Sequence, residues 1–112
     1  MAAPVHGQLD TLLLALLDQH GPAHGYALIE ALRDRSHGTI DLPEGTVYPA
    51  LYRLEEAGLL RSSWSVVDGR RRRVYALTRA GRPALAERAA RWREFAGAVD
   101  TVLGRTPWPT TS

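Results

Sequence analysis

Residues 60–77 read LRSSWSVVDGRRRRVYAL, two strand-like runs on either side of Asp68-Gly69. An Asp-Gly pair between such runs signals a two-residue hairpin loop, because a type I′ turn needs positive φ at both central positions. With that loop, position 67 pairs with 70, which sets Trp64 opposite Arg73 and Ser62 opposite Tyr75. Side chains alternate between the faces of a strand. Leu60, Trp64, Val66, Tyr75 and Leu77 therefore share one face, and Arg61, Ser63, Arg70 and Arg72 the other. The run of arginines at 70–73 is divided by the pleat: Arg70 and Arg72 point one way, Arg71 and Arg73 the other. Arg73 beside the Trp64 indole is placed for a cation–π contact, with Trp64 as the hydrophobic anchor of the hairpin.

Upstream of the hairpin the periodicity is helical. Residues 8–19 hold Leu9, Leu12, Leu13, Leu14, Leu16 and Leu17, a helix apolar around most of its circumference, which must be covered on more than one side. A partner subunit is a natural source of the second cover. His20-Gly21-Pro22 stops this helix, and His24-Gly25-Tyr26 opens a second, with Tyr26, Ile29 and Leu32 on one face, ending near Ser36-His37-Gly38. A third starts around Pro43 and Glu44, with Val47, Leu51 and Leu54 at i, i+4, i+7 as its core face. Its opposite face carries Gly45, Pro49, Tyr52, Arg53 and Glu56, flanked by Thr46 and Tyr48. Pro49 predicts a local irregularity, eased by glycine at the position its ring crowds.

Downstream, residues 79–103 predict one long helix. Leu85, Ala89, Trp92, Ala96, Val99 and Leu103 are spaced alternately by four and three, the seam of a coiled coil. Pro83 requires that the helix begin just before it. The domain division predicted is 1–78 for the compact part, 79–104 for the helix and 105–112 for a disordered tail. The fold class is mainly α with a two-stranded β wing: three helices, a hairpin and a long helix, the order of a winged helix-turn-helix followed by a dimerisation helix.

Composition narrows the function. At 112 residues, with 45% hydrophobic and 23% charged, the chain is one ordinary globular domain. It has no cysteine, which removes disulfides, thiol catalysis and Cys-based zinc sites. No targeting leader is recognisable in residues 1–7, and the apolar run 12–17 is too short to span a membrane, so a cytoplasmic location is expected. The net charge of +2 is unevenly spread. Residues 1–58 hold three arginines, Arg33, Arg35 and Arg53, against eight acids; residues 59–112 hold eleven arginines against four acids. A basic second half points to a polyanionic partner. His6, His20, His24 and His37 form no tight ligand pair, since His20 and His24 straddle Gly21-Pro22, so neither a metal nor a cofactor is implied. Glu55 and Glu56 are adjacent acids with no catalytic partner, and no enzyme is expected.

A helix fits the major groove of B-form DNA, and the tip of a β-ribbon reaches the neighbouring backbone. Gly45, Thr46, Tyr48, Pro49, Tyr52 and Arg53 are the candidates for the groove, with at least one tyrosine packing at the core edge. Arg70, Arg71 and Arg72 are the candidates for phosphate, and Arg73 is structural. Double-stranded DNA is thus the expected partner. A dimeric winged-helix protein-interaction module is the alternative, and a metal-responsive regulator the lesser one.

The residues Gly25-Tyr26, Gly45-Thr46-Val47-Tyr48-Pro49-Ala50-Leu51, Leu54-Glu55-Glu56-Ala57-Gly58-Leu59 and the stretch 71–81 (RRRVYALTRAG), in this order, resemble the PadR family of bacterial transcriptional regulators. The likeness runs over about residues 8–103, and the single C-terminal helix resembles the smaller subfamily. The resemblance implies a homodimer, repression at an inverted-repeat operator, and release by a small molecule in some members. Where the family often has serine then proline before the glycine, this chain has Pro43 and Glu44, so the helix cap differs and the acid opposes a nearby phosphate. Dimerisation would use Leu9, Leu12, Leu16, Leu85, Ala89, Trp92, Ala96, Val99 and Leu103. Trp92 falls where a tryptophan of some small members stacks planar aromatic ligands between subunits; Leu13, Leu85, Ala89 and Ala96 would line that pocket. Ordinary dimer packing is the competing role for Trp92.

Overall fold

The computed structural model describes residues 4–104, with side chains from residue 7 onward. The predicted tail at 105–112 lies outside the described residues. The order of elements is α1 (Pro4–His20), β1 (Ala23–His24), α2 (Gly25–Arg35), α3 (Glu44–Glu56), β2 (Leu60–Val67), β3 (Arg70–Leu77) and α4 (Gly81–Leu103). The helices and the hairpin stand where the periodicity placed them. The sheet is larger by one short strand: β1 pairs antiparallel with β3, Ala23 with Tyr75 and His24 with Val74, giving the order β1-β3-β2. Two residues are too few to show alternation, so no pattern in the sequence announced β1. The same His24 then caps α2, its Nδ1 accepting the Ala27 amide at 3.2 Å.

The core is a single cluster. Leu9, Leu13, Leu14, Leu16 and Leu17 of α1 meet Leu28, Ile29 and Leu32 of α2, Val47, Ala50, Leu51 and Leu54 of α3, and Leu60 and Tyr75 of the sheet. The protomer's own elements therefore cover α1 on several sides. Three sequence expectations are corrected by this burial. Leu9 and Leu16 are 2% and 6% exposed, so they are used inside the protomer and have no surface to offer a second copy. Leu13 is 0% exposed and lines no ligand pocket. Tyr26 does not join the core face of α2, which is made by Gly25, Leu28, Ile29 and Leu32; it is 46% exposed.

The long helix is joined to α1 at its start by two ion pairs, Arg82 to Asp18 at 2.6 Å and Arg88 to Asp10 at 3.7 Å. Leu85 packs against the core. From Trp92 onward the helix projects from the body, and the molecule measures 66 × 29 × 24 Å. Pro83 sits in the first turn, where it forfeits no helical hydrogen bond. Thr78 ties this start to the hairpin: its hydroxyl donates to the Gly58 carbonyl at 2.7 Å and accepts from the Gly81 amide at 3.1 Å.

Since Leu13 has no exposed surface, Leu13→Ala should lower the unfolding free energy by about 2–5 kcal/mol in urea titration. A decrease below about 1 kcal/mol would mean that the site collapses or is not core.

Candidate nucleic-acid interface

Helix α3 carries the groove candidates. Its buried side is Val47, Ala50, Leu51 and Leu54, and Gly45, Pro49, Tyr52, Arg53 and Glu56 are exposed on the other. The stripe Gly45, Pro49, Tyr52, Glu56 advances by four, three and four, about 16 Å along the axis. The helix runs on through Pro49. Pro43 stands at the N-cap with extended backbone and no side-chain hydrogen bond, so the cap does differ from a serine cap, and Glu44 lies exposed in the first turn.

The two tyrosines of α3 have different surroundings. Tyr52 is 63% exposed. Tyr48 instead packs on the start of α2, where a Cβ added to Gly25 would fall 2.5 Å from its ring. Glycine at 25 is thus what lets the ring lie against the backbone. Burial and the Glu44 carboxylate raise the Tyr48 phenol above its ordinary range, while the Arg72 guanidinium and a backbone hydrogen bond at Tyr26 act the other way. Tyr48 is the tyrosine at the core edge. Arg53 is held from behind: its guanidinium donates to Asp10 Oδ1 at 3.0 Å, and the same carboxylate takes Arg88 of α4.

The hairpin has the predicted register, Val67 with Arg70, Trp64 with Arg73 and Ser62 with Tyr75. Asp68 and Gly69 both take positive φ, 52° and 75°. The four arginines divide as expected. Arg73 lies 5.5 Å from the centre of the Trp64 ring, and Arg71 lies over the same ring at 4.8 Å. Trp64 is 54% exposed, so it is not a buried anchor; it is a flat surface on which two guanidiniums rest. On the other face, Arg72 reaches Tyr26 of α2 at 6.0 Å. Arg70, Arg71 and Arg72 line an open hollow, and none of them is ion-paired among the described residues. Tyr26 is not among the groove and phosphate candidates read from the sequence; its distance from Arg72 places it beside the wing.

The profile of the transcriptional regulator PadR-like family matches residues 13–87. The chain belongs to the PadR-like family of transcriptional regulators. It is similar to the transcriptional regulator Rv3488 of Mycobacterium tuberculosis, 50% identical over 76 residues that make up 68% of each protein. Among solved structures, smu.1704 of Streptococcus mutans matches with a TM-score of 0.80 at 27% identity, over 99% of this chain and 100% of that one. A PadR family transcriptional regulator of Eggerthella lenta matches with a TM-score of 0.69 at 36% identity, over 83% of this chain and 81% of that one. The winged helix-turn-helix with a long terminal helix is the fold that this chain shares with these two solved structures. Among the described residues no helix is long and apolar enough to cross a membrane, and no three His, Asp or Glu side chains gather as a metal-binding group.

The phenols give a stability test. Burial, and then the Glu55 carboxylate, raise the Tyr75 hydroxyl as well, so both tyrosines have folded values above the ordinary one. For a group raised on folding, the folded state binds more protons between the two values, so its contribution is complete below about pH 10 and disappears above it. The urea midpoint should fall as the pH rises above about 10, the ordinary tyrosine value, and Tyr75→Phe should flatten that fall. An equal slope in wild type and variant would disconnect Tyr75 from the alkaline destabilisation.

Proposed function

We propose that the protein is a homodimeric repressor that binds an inverted-repeat operator, with residues 1–78 as the reader and residues 79–104 as the dimerisation helix. The observation that carries this reading is the exposed α3 stripe standing beside a wing whose Arg70, Arg71 and Arg72 have no ion-pair partner among the described residues. Gly45, Thr46, Pro49 and Tyr52 enter the major groove, and the free wing arginines meet phosphates on the flank. Tyr48 acts indirectly, by seating α3 on α2. Arg53 reaches DNA only to the extent that Asp10 releases it.

Dimerisation rests on the projecting half of α4. Trp92, Phe95, Val99, Val102 and Leu103 leave an apolar stripe exposed, between 37% and 77% each. With Ala96 and the partly buried Ala89, Leu85 and Leu12 at its base, this stripe is the face for the second copy; Phe95 and Val102 join the seam read from sequence. Pairing there would set two α3 helices about one DNA turn apart, roughly 34 Å, on a pseudo-palindrome. We also propose that Trp92, tilted against Phe95 at a centroid distance of 6.1 Å, offers a face to a planar aromatic effector whose binding releases DNA.

Replacing Arg70, Arg71 and Arg72 together by alanine should weaken binding to every duplex and reduce the log–log salt slope by about 0.9 for each phosphate that the wing no longer neutralises. Tyr52→Ala should instead weaken operator binding more than random-sequence binding, with little change in slope. Unchanged affinity of the arginine variant at physiological salt would remove the wing from the interface.

A planar aromatic dye should quench tryptophan fluorescence in the wild-type dimer and much less in Trp92→Ala, with the dimer checked by sedimentation. Equal quenching in both dimers would leave Trp92 as packing alone.

A further inference from the structure

Beyond the positions paired to β1, the wing is a two-stranded ribbon, and ribbons of two strands twist more freely than wider sheets. Its angle to α3 must then come from side chains. Glu55, in the last turn of α3, has 27% of its side chain exposed. Its Oε2 accepts the Ser62 hydroxyl of β2 at 2.6 Å. The Ser62 oxygen in turn accepts Arg73 Nε of β3 at 2.8 Å, and Arg73 Nη2 lies 3.8 Å from the same carboxylate. Arg73 rests on Trp64, and Trp64 carries Arg71 on its way to the tip. One connected set of polar and stacked interactions therefore runs from the recognition helix to the phosphate-facing arginines. On the opposite face the wing touches the body through Arg72 and Tyr26.

Glu56, the next residue, is exposed on the α3 stripe and has no ion pair among the described residues. By charge alone the two acids would have the same effect, since a carboxylate near phosphates repels them. Their surroundings differ: one is tied to the wing and the other is not.

We propose that Glu55 is a positioning residue for DNA binding, which holds Arg73 and through it sets the angle at which the wing presents Arg70, Arg71 and Arg72. This rests on the DNA-binding reading above. The consequence is an opposition of sign between neighbours. Removing Glu56 removes repulsion. Removing Glu55 removes the same repulsion but frees the wing, and the misalignment of the arginines outweighs the gain.

The test uses the full chain and a labelled random-sequence duplex, because phosphate binding does not depend on operator identity. Affinity and salt slope are measured for wild type, Glu56→Ala, Glu55→Ala, Glu55→Gln, Arg73→Ala and the Glu55→Ala/Arg73→Ala double variant. Glu56→Ala should bind more tightly. Glu55→Ala should bind on the order of threefold to fivefold more weakly, the range open to an exposed ion-pair network, with a reduced slope. Glu55→Gln keeps an oxygen for Ser62 but lacks the charge opposite Arg73, and should fall between wild type and Glu55→Ala. The double variant should be no weaker than Arg73→Ala, since both act through one interaction. In a Trp92→Phe/Trp108→Phe background, Glu55→Ala should also make Trp64 more accessible to acrylamide, a readout that needs no DNA. Glu55→Ala binding as tightly as Glu56→Ala, or additive weakening in the double variant, would overturn the proposal. A wild-type protein that bound no duplex would overturn the DNA-binding reading, and this one with it.

Discussion

A tight turn with positive φ at two successive residues decides what the basic half of this protein can do. Asp68 and Gly69 adopt that conformation, and the hairpin then has one register only, with Val67 against Arg70. The period of a strand is two, so a slip by one residue would exchange every side chain between faces. It would turn Tyr75 and Leu60 out of the core and bring an arginine in. The core and the turn thus enforce the same register from opposite ends of the ribbon. Four consecutive arginines become two pairs with different neighbours: Arg71 and Arg73 against Trp64, Arg70 and Arg72 toward solvent and Tyr26.

The same division separates binding from positioning. Arginines without carboxylate partners at an exposed hairpin tip stay hydrated and available, and exposed ion pairs contribute little to folding. Arg73 differs because it sits where the ribbon leaves the body, close enough to Glu55, Ser62 and Trp64 to engage all three. Phosphate contacts orient a protein on DNA without reading sequence. In the proposed DNA complex, discrimination among operators falls to α3, where the accessible chemistry is a short stripe of glycine, proline, tyrosine and hydroxyl groups, and where Tyr48 is committed to holding the helix against Gly25.

Helix α1 shows how much apolar surface a single chain can bury by itself. Its leucines are spread around most of the circumference, which reads as a demand for cover from a second copy. In the fold, α2, α3, the sheet and the first turns of α4 supply that cover, and Leu9, Leu13 and Leu16 have nothing left to offer. The unmet demand moves to α4, whose last three turns extend beyond the body with Trp92, Phe95, Val99, Val102 and Leu103 exposed. Asp10 stands between these regions, accepting Arg53 from α3 and Arg88 from α4.

The sequence by itself determined the order of the helices and the hairpin, the hairpin register and the core face of α3, because each depends on local periodicity or on residues with special φ. It also placed Gly45, Pro49, Tyr52 and the wing arginines on exposed faces, since a helix or strand has only two sides to choose between. Only the tertiary structure decided which apolar surface is left over, which tyrosine is committed to packing, and which charges are paired. Tyr26 beside Arg72, Glu55 beside Arg73 and Asp10 beside Arg53 lie 46, 18 and 43 residues apart in the chain. No periodicity links such positions. Their meeting follows from how helices and sheet pack, and with it the difference between an arginine without an ion pair among the described residues and one that Glu55, Ser62 and Trp64 engage.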